Sequence, residues 1–217
     1  MSKSSQLLYR FRGFILGAFA LALLVTPAAP FPWDLAGSTI QHKHFVIACD
    51  IFAVVLFLAG IVLRIKSRQY IGEHTRGSTH QADALVTWGP YALMRHPLYY
   101  SNICIAVAFI FIHLGPSRLL PIFLLSVGLF ESALSRIEDY FLHEKFGEEW
   151  VLWAKEVPAL NLGLNLLSKR KRAKIMSNFF AKKPVRTVWQ SFCADRSTWA
   201  WLMFYNLLLV LKKIYLV

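Results

Sequence analysis

The stretch PLYYSNICIAVAFIFIHLGPSRLLPIFLLSVGLFESALS, residues 97–135, decides the fold because it reads as two apolar helices joined by a tight turn. Pro97 to Ser117 carries no charge, and only Glu131 interrupts Leu119 to Ser135. Each segment is long enough to cross roughly 30 Å of hydrocarbon as a helix. Gly115-Pro116-Ser117 predicts the turn between them. The sequence therefore predicts a hairpin of membrane helices.

Two further segments of bilayer length precede this hairpin. Gly13 to Trp33 contains no charge, and Phe45 to Leu63 contains only Asp50. Because the chain is 56% hydrophobic and only 17% charged, it is too apolar for an ordinary soluble domain. We predict an all-α, multi-pass integral membrane bundle of four to five spans with cytoplasmic amphipathic helices. The uncertain span is the short apolar run of residues 197–211, which either crosses the membrane or lies in its interface.

The first apolar segment superficially resembles a secretory signal, since Lys3, Arg10 and Arg12 precede it. Its apolar core exceeds the usual signal length, and Pro27 to Pro32 gives no clean small-residue cleavage pattern. Further spans also follow it. The segment is better interpreted as the first membrane helix.

The distribution of basic residues predicts the orientation of these helices. Basic residues precede the first span and recur between the second and third, at Lys3, Arg10, Arg12, Arg64, Lys66, Arg68, Arg76 and Arg95. The only Lys or Arg residues in the connections after the first and third spans are Lys43 and Arg118. Because basic loops stay in the cytoplasm, residues 85–102 and the region after the fourth span are expected on the cytoplasmic side.

The net charge of +12 is concentrated near the C-terminus, where Lys169 to Arg186 holds eight basic residues and no acid. Anionic membrane lipids attract such juxtamembrane clusters. No nucleic-acid recognition module accompanies the charge, so no nucleic-acid partner is predicted. We divide the chain into a membrane-embedded core, residues 1–165, and a basic juxtamembrane segment with a C-terminal apolar helix, residues 166–217.

The cysteines and histidines do not form a pattern typical of a metal site. Cys49, Cys104 and Cys193 lie in or near apolar segments and are interpreted as small buried hydrophobic residues. His42 and His44 are close in sequence, but no third ligand is near them. We therefore predict no metal.

Polar and aromatic residues are concentrated in LVTWGPYALMRHPLYYSN, residues 85–102, directly before the third span. Arg95, His96 and Tyr99 offer a cation, an imidazole and a phenol within five positions. Pro97 favours a helix start at that point. Such a cluster at a membrane surface indicates a reaction centre.

After the fourth span, the apolar spacing in residues 135–157 predicts an amphipathic helix. Gly147 is expected to end it, and Glu148 to Lys155 to form a second short helix with Trp150 and Trp153 at headgroup level. The hairpin returns the chain to its starting level. The hairpin should therefore bring residues 91–102 beside residues 136–139. A cation, an imidazole, two carboxylates and aromatic rings would then lie together, and such a set suits a zwitterionic ligand.

Taken singly, these residues have plainer interpretations. Arg95 fits a topology-setting base, His96 an interfacial residue, and Glu138 with Asp139 the solvated face of a helix. Their expected convergence favours a site.

The ordered motifs resemble a known family. Gly89-Pro90-Tyr91, then Arg95-His96-Pro97-Leu98-Tyr99, Glu138-Asp139 and Phe146-Gly147-Glu148-Glu149-Trp150 before Val157-Pro158 are similar to the isoprenylcysteine carboxyl methyltransferases, and phospholipid methyltransferases share the pattern. The resemblance covers residues 85–158. Ser101 stands where that family usually has Gly, and Glu138-Asp139 where it commonly has two Glu.

The resemblance implies S-adenosylmethionine as methyl donor, with Arg95, His96 and Glu138 as the catalytic set. By analogy, Arg95 or His96 would hold the carboxylate of the donor, and Glu138 with Asp139 its ammonium or ribose hydroxyls. The implied cofactor-binding residues are Thr87, Gly89, Pro90, Tyr91, Arg95, His96, Pro97, Tyr99, Asn102, Glu138 and Asp139.

A lipophilic acceptor, either an isoprenylcysteine-type carboxylate or a lipid amine, would enter from the membrane. Glu131 is costly in lipid and lies two helical turns before Glu138, so it is a candidate for acceptor binding together with Trp150 and Trp153. Two alternatives stay open. One is a membrane enzyme similar to sterol reductases, which uses NADPH, and the other is a non-catalytic membrane scaffold.

Overall fold

The structure is a computed structural model that describes residues 3–29, 40–71, 84–160 and 168–215. Within these ranges every regular element is helical, which confirms the predicted all-α class. The elements are α1 (Lys3–Arg10), α2 (Arg12–Val25), α3 (Ile40–Tyr70), a 3-10 helix (Gly89–Ala92), α4 (Pro97–Leu114), α5 (Leu120–Phe146), α6 (Glu148–Glu156), α7 (Lys169–Phe179), α8 (Val188–Ala194) and α9 (Arg196–Tyr215).

Three of the described helices are long and apolar enough to cross a membrane: Lys43–Tyr70 within α3, α4 and α5. Large apolar side chains on their outer faces are exposed, among them Ile51 and Val55 on α3 and Leu125 on α5. Such faces are costly in water and suit contact with lipid. The fold is consistent with a helical membrane bundle.

The first predicted span is shorter than expected. The uncharged run predicts a span from Gly13 to Trp33, but α2 ends at Val25 after 14 residues. Thr26 is extended and Pro27 follows, and the residue before a proline disfavours helical geometry. Residues 30–33 lie outside the described ranges. As described, α2 is a shorter apolar helix and does not have the length of a span.

The predicted hairpin is formed by α4 and α5. α4 begins at Pro97, as the sequence indicates, and ends at Gly115, whose φ of +54° allows the turn. The fourth span and the amphipathic helix after it form one continuous helix, α5, which ends at Gly147 with a φ of +51°. The carboxylates at positions 138 and 139 are therefore held rigidly on the same helix as Glu131.

α3 packs closely against α4 at Gly60. A Cβ atom at this glycine would lie 2.9 Å from the Ile105 side chain and 3.1 Å from Cys104 Cβ. Small residues allow such close approach between membrane helices.

We expect Gly60→Ala to push α3 away from α4 and to lower the free energy of unfolding by about 1 to 3 kcal/mol, the usual cost of overpacking. Unfolding of the detergent-purified protein, followed by tryptophan fluorescence, measures this loss. Gly17→Ala on α2 is the control, because nothing lies within 4 Å of the added Cβ. Equal stability of the two variants would contradict the close approach.

The C-terminal segment packs along the bundle. Tyr205 on α9 donates a 2.9 Å hydrogen bond to the Ala20 carbonyl of α2, and its ring lies 5.3 Å from that of Phe109 on α4. At the end of α9, Lys212 donates to the carbonyl groups of Leu24 and Thr26. The structure thus gives residues 197–211 a helical fold and neighbours, while their crossing of the membrane stays a prediction.

Candidate active site

The motif before α4 begins in a 3-10 helix that only glycine can start. Gly89 has a φ of +61°, and a Cβ there would lie 2.6 Å from the Tyr70 ring. Pro90 follows at a position where its fixed φ suits the turn. Tyr91 and the rest of the 3-10 helix are buried. The glycine therefore lets the motif pack directly on the end of α3.

Arg95 joins the motif to two other elements. Its Nε donates to Asp139 Oδ1 at 3.0 Å and its Nη2 to Asp139 Oδ2 at 2.7 Å, so the carboxylate is held by two parallel bonds. Its Nη1 donates to the carbonyl groups of Ala154 and Val157 near the end of α6. The Arg95 backbone N–H also donates to the Pro158 carbonyl at 2.9 Å. Arg95 therefore clamps the motif, α5 and the end of α6 together.

His96 shares the same carboxylate. Its Nε2 lies 2.9 Å from Asp139 Oδ1, and the residue is only 3% exposed. Since an ionised Asp139 only accepts hydrogen bonds, Nε2 is the donor, and a neutral His96 then presents Nδ1 as an acceptor. The carboxylate thereby fixes the tautomer of the imidazole.

Glu138 has different neighbours from Asp139. It is hydrogen-bonded to Tyr99 on α4 and lies near Tyr9 of α1. Burial, aided by the charge of Glu138, raises the pKa of Tyr9. Tyr99 in turn packs against His96, with ring centroids 5.7 Å apart. Arg95 therefore pairs with Asp139 rather than with Glu138, and the two acids are connected through the His96–Tyr99 contact.

Four aromatic residues, here called the aromatic box, belong to the hydrophobic cluster beside Arg95: Trp88, Tyr91, Trp150 and Trp153. The three indole N–H groups and the Tyr91 hydroxyl are buried and have no hydrogen-bond partner among the described residues. Burial raises the pKa of Tyr91 well above its ordinary value, so its hydroxyl stays a donor at neutral pH. The Arg95 guanidinium lies 5.6 Å from the Trp150 ring centroid. The box thus offers unused donors to a ligand, while the Lys182 ammonium lies 3.8 Å from the Trp88 ring centroid.

Asn102 and Glu131 meet deeper in the bundle, where α4 faces α5. Asn102 Nδ2 lies 3.5 Å from Glu131 Oε2, and Glu131 is fully buried. Arg64 of α3 donates to Asn102 Oδ1 at 2.6 Å and to Asp195 Oδ2 at 2.9 Å. Neither Arg64 nor Asp195 was predicted as a site residue. Arg64 was considered only for its effect on topology.

Asp195 carries a sequence signal that could have identified it, because it is the only acidic residue after Glu156. A lone acid in a basic segment indicates a buried partner of opposite charge.

The remaining predicted positions, Thr87 and Pro97, lie within the motif itself. Thr87 is half-buried in the irregular stretch before the 3-10 helix, and Pro97 is buried as the first residue of α4. The structure thus distributes the predicted residues over three adjoining groups: the Arg95–His96–Asp139 centre, the aromatic box, and the Asn102–Glu131 pair. Their roles in ligand binding stay predictions.

Fold and site together define a helical membrane protein with an arginine-histidine-carboxylate centre beside an aromatic box. Residues 48–149 match the family model described as phospholipid methyltransferase. The match over this stretch agrees with the resemblance drawn from the sequence motifs, and the family that it describes implies a membrane methyltransferase. The match runs from α3 through the motif, α4 and α5 to the start of α6. No curated protein and no solved structure matches the chain.

Proposed function

We propose that this chain transfers a methyl group from S-adenosylmethionine to a lipophilic acceptor at the cytoplasmic face of a membrane. The observation that carries this proposal is the aromatic box, whose four buried donors lack partners among the described residues and adjoin the Arg95–His96–Asp139 centre. The membrane fold and the family match support the same reaction class.

The residues present suit this cofactor in their hydrogen-bonding and aromatic character. Indole and phenol donors suit the acceptor atoms of the ribose, adenine and carboxylate groups. The aromatic faces would favour the sulfonium by cation–π attraction, worth roughly 0.5 to 2 kcal/mol. Bound there, S-adenosylmethionine supplies an electrophilic methyl group. Residues Trp88, Tyr91, Trp150 and Trp153 would hold it.

The protein's part in methyl transfer is alignment and exclusion of water. Arg95 and Asp139 fix the positions of three segments around the box, which limits motion of the reacting groups. Burial of the box keeps water from the site. No covalent nucleophile is required for a direct displacement.

The acceptor would reach the site laterally, from the membrane. An isoprenylcysteine-type carboxylate is already nucleophilic, whereas a lipid ammonium must first lose a proton, for which His96 or Glu131 is the candidate base. Trp150 and Trp153 would contact the acceptor at headgroup depth in either case. The exposed residues Lys169, Arg172 and Lys174 of α7, with Lys182–Lys183, would bind anionic lipid and keep the site at the cytoplasmic leaflet.

The cofactor is tested by thermal protection of the detergent-purified protein. We expect S-adenosylmethionine to raise the melting temperature and NADPH to leave it unchanged. Trp153→Phe keeps the ring but removes the N–H donor, so we expect the Kd for S-adenosylmethionine to rise about tenfold, the value of one hydrogen bond.

Trp189→Phe is the matched control, since Trp189 lies on α8 and is 71% exposed. An unchanged Kd in Trp153→Phe would remove the aromatic box from the cofactor site. Protection by NADPH alone would favour a reductase of the sterol-reductase type.

The acceptor is tested by mass spectrometry of lipids and prenylated peptides from cells with and without the chain, in search of products heavier by one methyl substitution. We expect Arg95→Ala and Glu138→Ala to abolish the product, and neutralisation of Lys169 to Lys174 to reduce it only modestly. The reverse ranking would favour a non-catalytic scaffold that acts through its basic segment.

A further inference from the structure

The C-terminal segment places one acidic group against the cytoplasmic end of α3. Asp195, between α8 and α9, is 1% exposed and accepts hydrogen bonds from Arg64 Nε at 2.9 Å and Arg68 Nε at 3.1 Å. Burial opposes its ionisation, but the two guanidinium groups outweigh burial and lower the pKa of Asp195. Asp195 lies outside the family match, which ends at residue 149. A segment beyond the matched region thus contributes a fixed negative charge to the core.

Arg64 determines how the Asn102 amide is oriented. A guanidinium only donates hydrogen bonds, so the Asn102 oxygen must face Arg64, at 2.6 Å from Nη1. The Asn102 NH2 group must then face Glu131. Without Arg64 the amide loses the contact that prevents it from turning over. Asp195 orients Arg64, and Thr198, 3.4 Å from Nη2, is a second contact from α9.

Glu131 ends this chain of contacts with one oxygen unused. Its Oε2 faces the Asn102 amide, while Oε1 is buried and has no hydrogen-bond partner among the described residues. A carboxylate oxygen in such surroundings is costly until a donor reaches it. Because Asn102 lies on the helix that starts at the Arg95–His96 motif, this oxygen lies on the membrane side of the candidate active site.

We propose that Asp195 and Arg64 are positioning residues that orient Asn102, so that Glu131 Oε1 is left to accept a hydrogen bond from an N–H group of the acceptor. This role rests on the proposed methyltransferase function and deepens it. Asn102, expected from the resemblance to contact the cofactor, is here assigned to the acceptor side. The C-terminal segment thereby takes part in acceptor recognition.

The kinetic test uses Arg64→Lys in the full-length protein. Lysine keeps a positive charge for Asp195, but its ammonium lacks the planar fork that contacts Asp195 and Asn102 together. The probes are vesicles that contain phosphatidylethanolamine and a farnesylated cysteine derivative. For whichever is methylated, we expect KM to rise about tenfold, while KM for S-adenosylmethionine stays within about twofold, because one charge-assisted contact is lost on the acceptor side only.

Two further variants separate positioning from loss of packing. Asp195→Glu keeps the charge, so its KM for the acceptor should stay close to the wild-type value. Tyr205→Phe removes another tether of α9, to the Ala20 carbonyl, without touching Arg64. We expect Tyr205→Phe to leave both KM values unchanged. An acceptor KM that rises equally in Tyr205→Phe and Arg64→Lys would overturn the positioning role.

An infrared measurement gives a readout independent of turnover. The carboxyl band of Glu131 is assigned by difference against Glu131→Gln, and we expect Arg64→Lys to shift it, since the hydrogen bond from Asn102 changes. An unshifted band in Arg64→Lys overturns the proposal. A wild type that neither binds S-adenosylmethionine nor methylates either probe overturns the proposed function instead, while the band still decides whether Arg64 orients Asn102.

Discussion

Replacing Asp139 with alanine is expected to lower the free energy of unfolding by about 3 kcal/mol, the cost of leaving a buried charge without its partner. Both oxygens of Asp139 are engaged, by two bonds from Arg95 and one from His96. Asp139→Ala therefore leaves a guanidinium with 14% exposure unpaired and frees the imidazole to change tautomer. Denaturation of the detergent-purified protein, followed by tryptophan fluorescence, measures the loss.

The same variant should also lose thermal protection by S-adenosylmethionine, because Asp139 no longer fixes the Arg95 side chain that contacts the end of α6. Glu156→Ala is the matched control. Its ion pair with Lys174 is as short, at 2.6 Å, but both side chains are more than half exposed, so its loss should cost less than about 1 kcal/mol. A similar cost for the two substitutions would show that Asp139 does not hold the site together.

We expect Gly89→Ala to be nearly as damaging, with a loss of about 3 kcal/mol in stability. A left-handed φ costs an alanine about 1 to 2 kcal/mol. The added methyl group would also lie 2.6 Å from the Tyr70 ring, and overpacking of that kind costs about 1 to 3 kcal/mol. The 3-10 helix would move away from α3 and carry Tyr91 with it, so cofactor affinity should fall as well. Denaturation and thermal protection measure the two effects.

Gly128→Ala on α5 is the control for this substitution, because it has open space around the added Cβ and a helical backbone. It should be neutral or slightly stabilising. The double variant Gly89→Ala with Tyr70→Leu removes the ring contact but keeps the strained φ, so we expect partial recovery only. Full recovery would show that backbone strain at Gly89 is negligible, and no loss in Gly89→Ala alone would contradict the close packing on Tyr70.

The sequence predicted the features that depend on local patterns. Pro97 marks the start of α4, Gly115 the turn, and Gly147 the end of α5, because these residue types favour the backbone angles found there. The predicted convergence of the Arg95 motif with the acids on α5 also follows from helix lengths. In the structure, Asp139 lies beside Arg95 and His96.

Other features depend on tertiary packing and were not predictable in detail. Adjacent residues on a helix point about 100° apart, so the choice between Glu138 and Asp139 as the partner of Arg95 depends on how α5 is rotated. The early end of α2 reflects Thr26 and Pro27, which an overall count of apolar residues does not detect. Glu131 was predicted to bind the acceptor from its cost in lipid, and this role stays a prediction, whereas its link to Arg64 required knowledge of which helices adjoin.

The Arg64–Asp195 ion pair, which joins positions 131 residues apart, also restricts how this protein can diverge. Loss of the acid alone would remove the carboxylate that Arg64 and Arg68 share, and loss of Arg64 alone would weaken the attachment of the C-terminal segment. The two positions should therefore change together among orthologues, and a lineage with an unrelated C-terminal extension should have replaced Arg64 by a neutral residue. A domain boundary drawn at the end of the matched family region would separate the two residues of this ion pair.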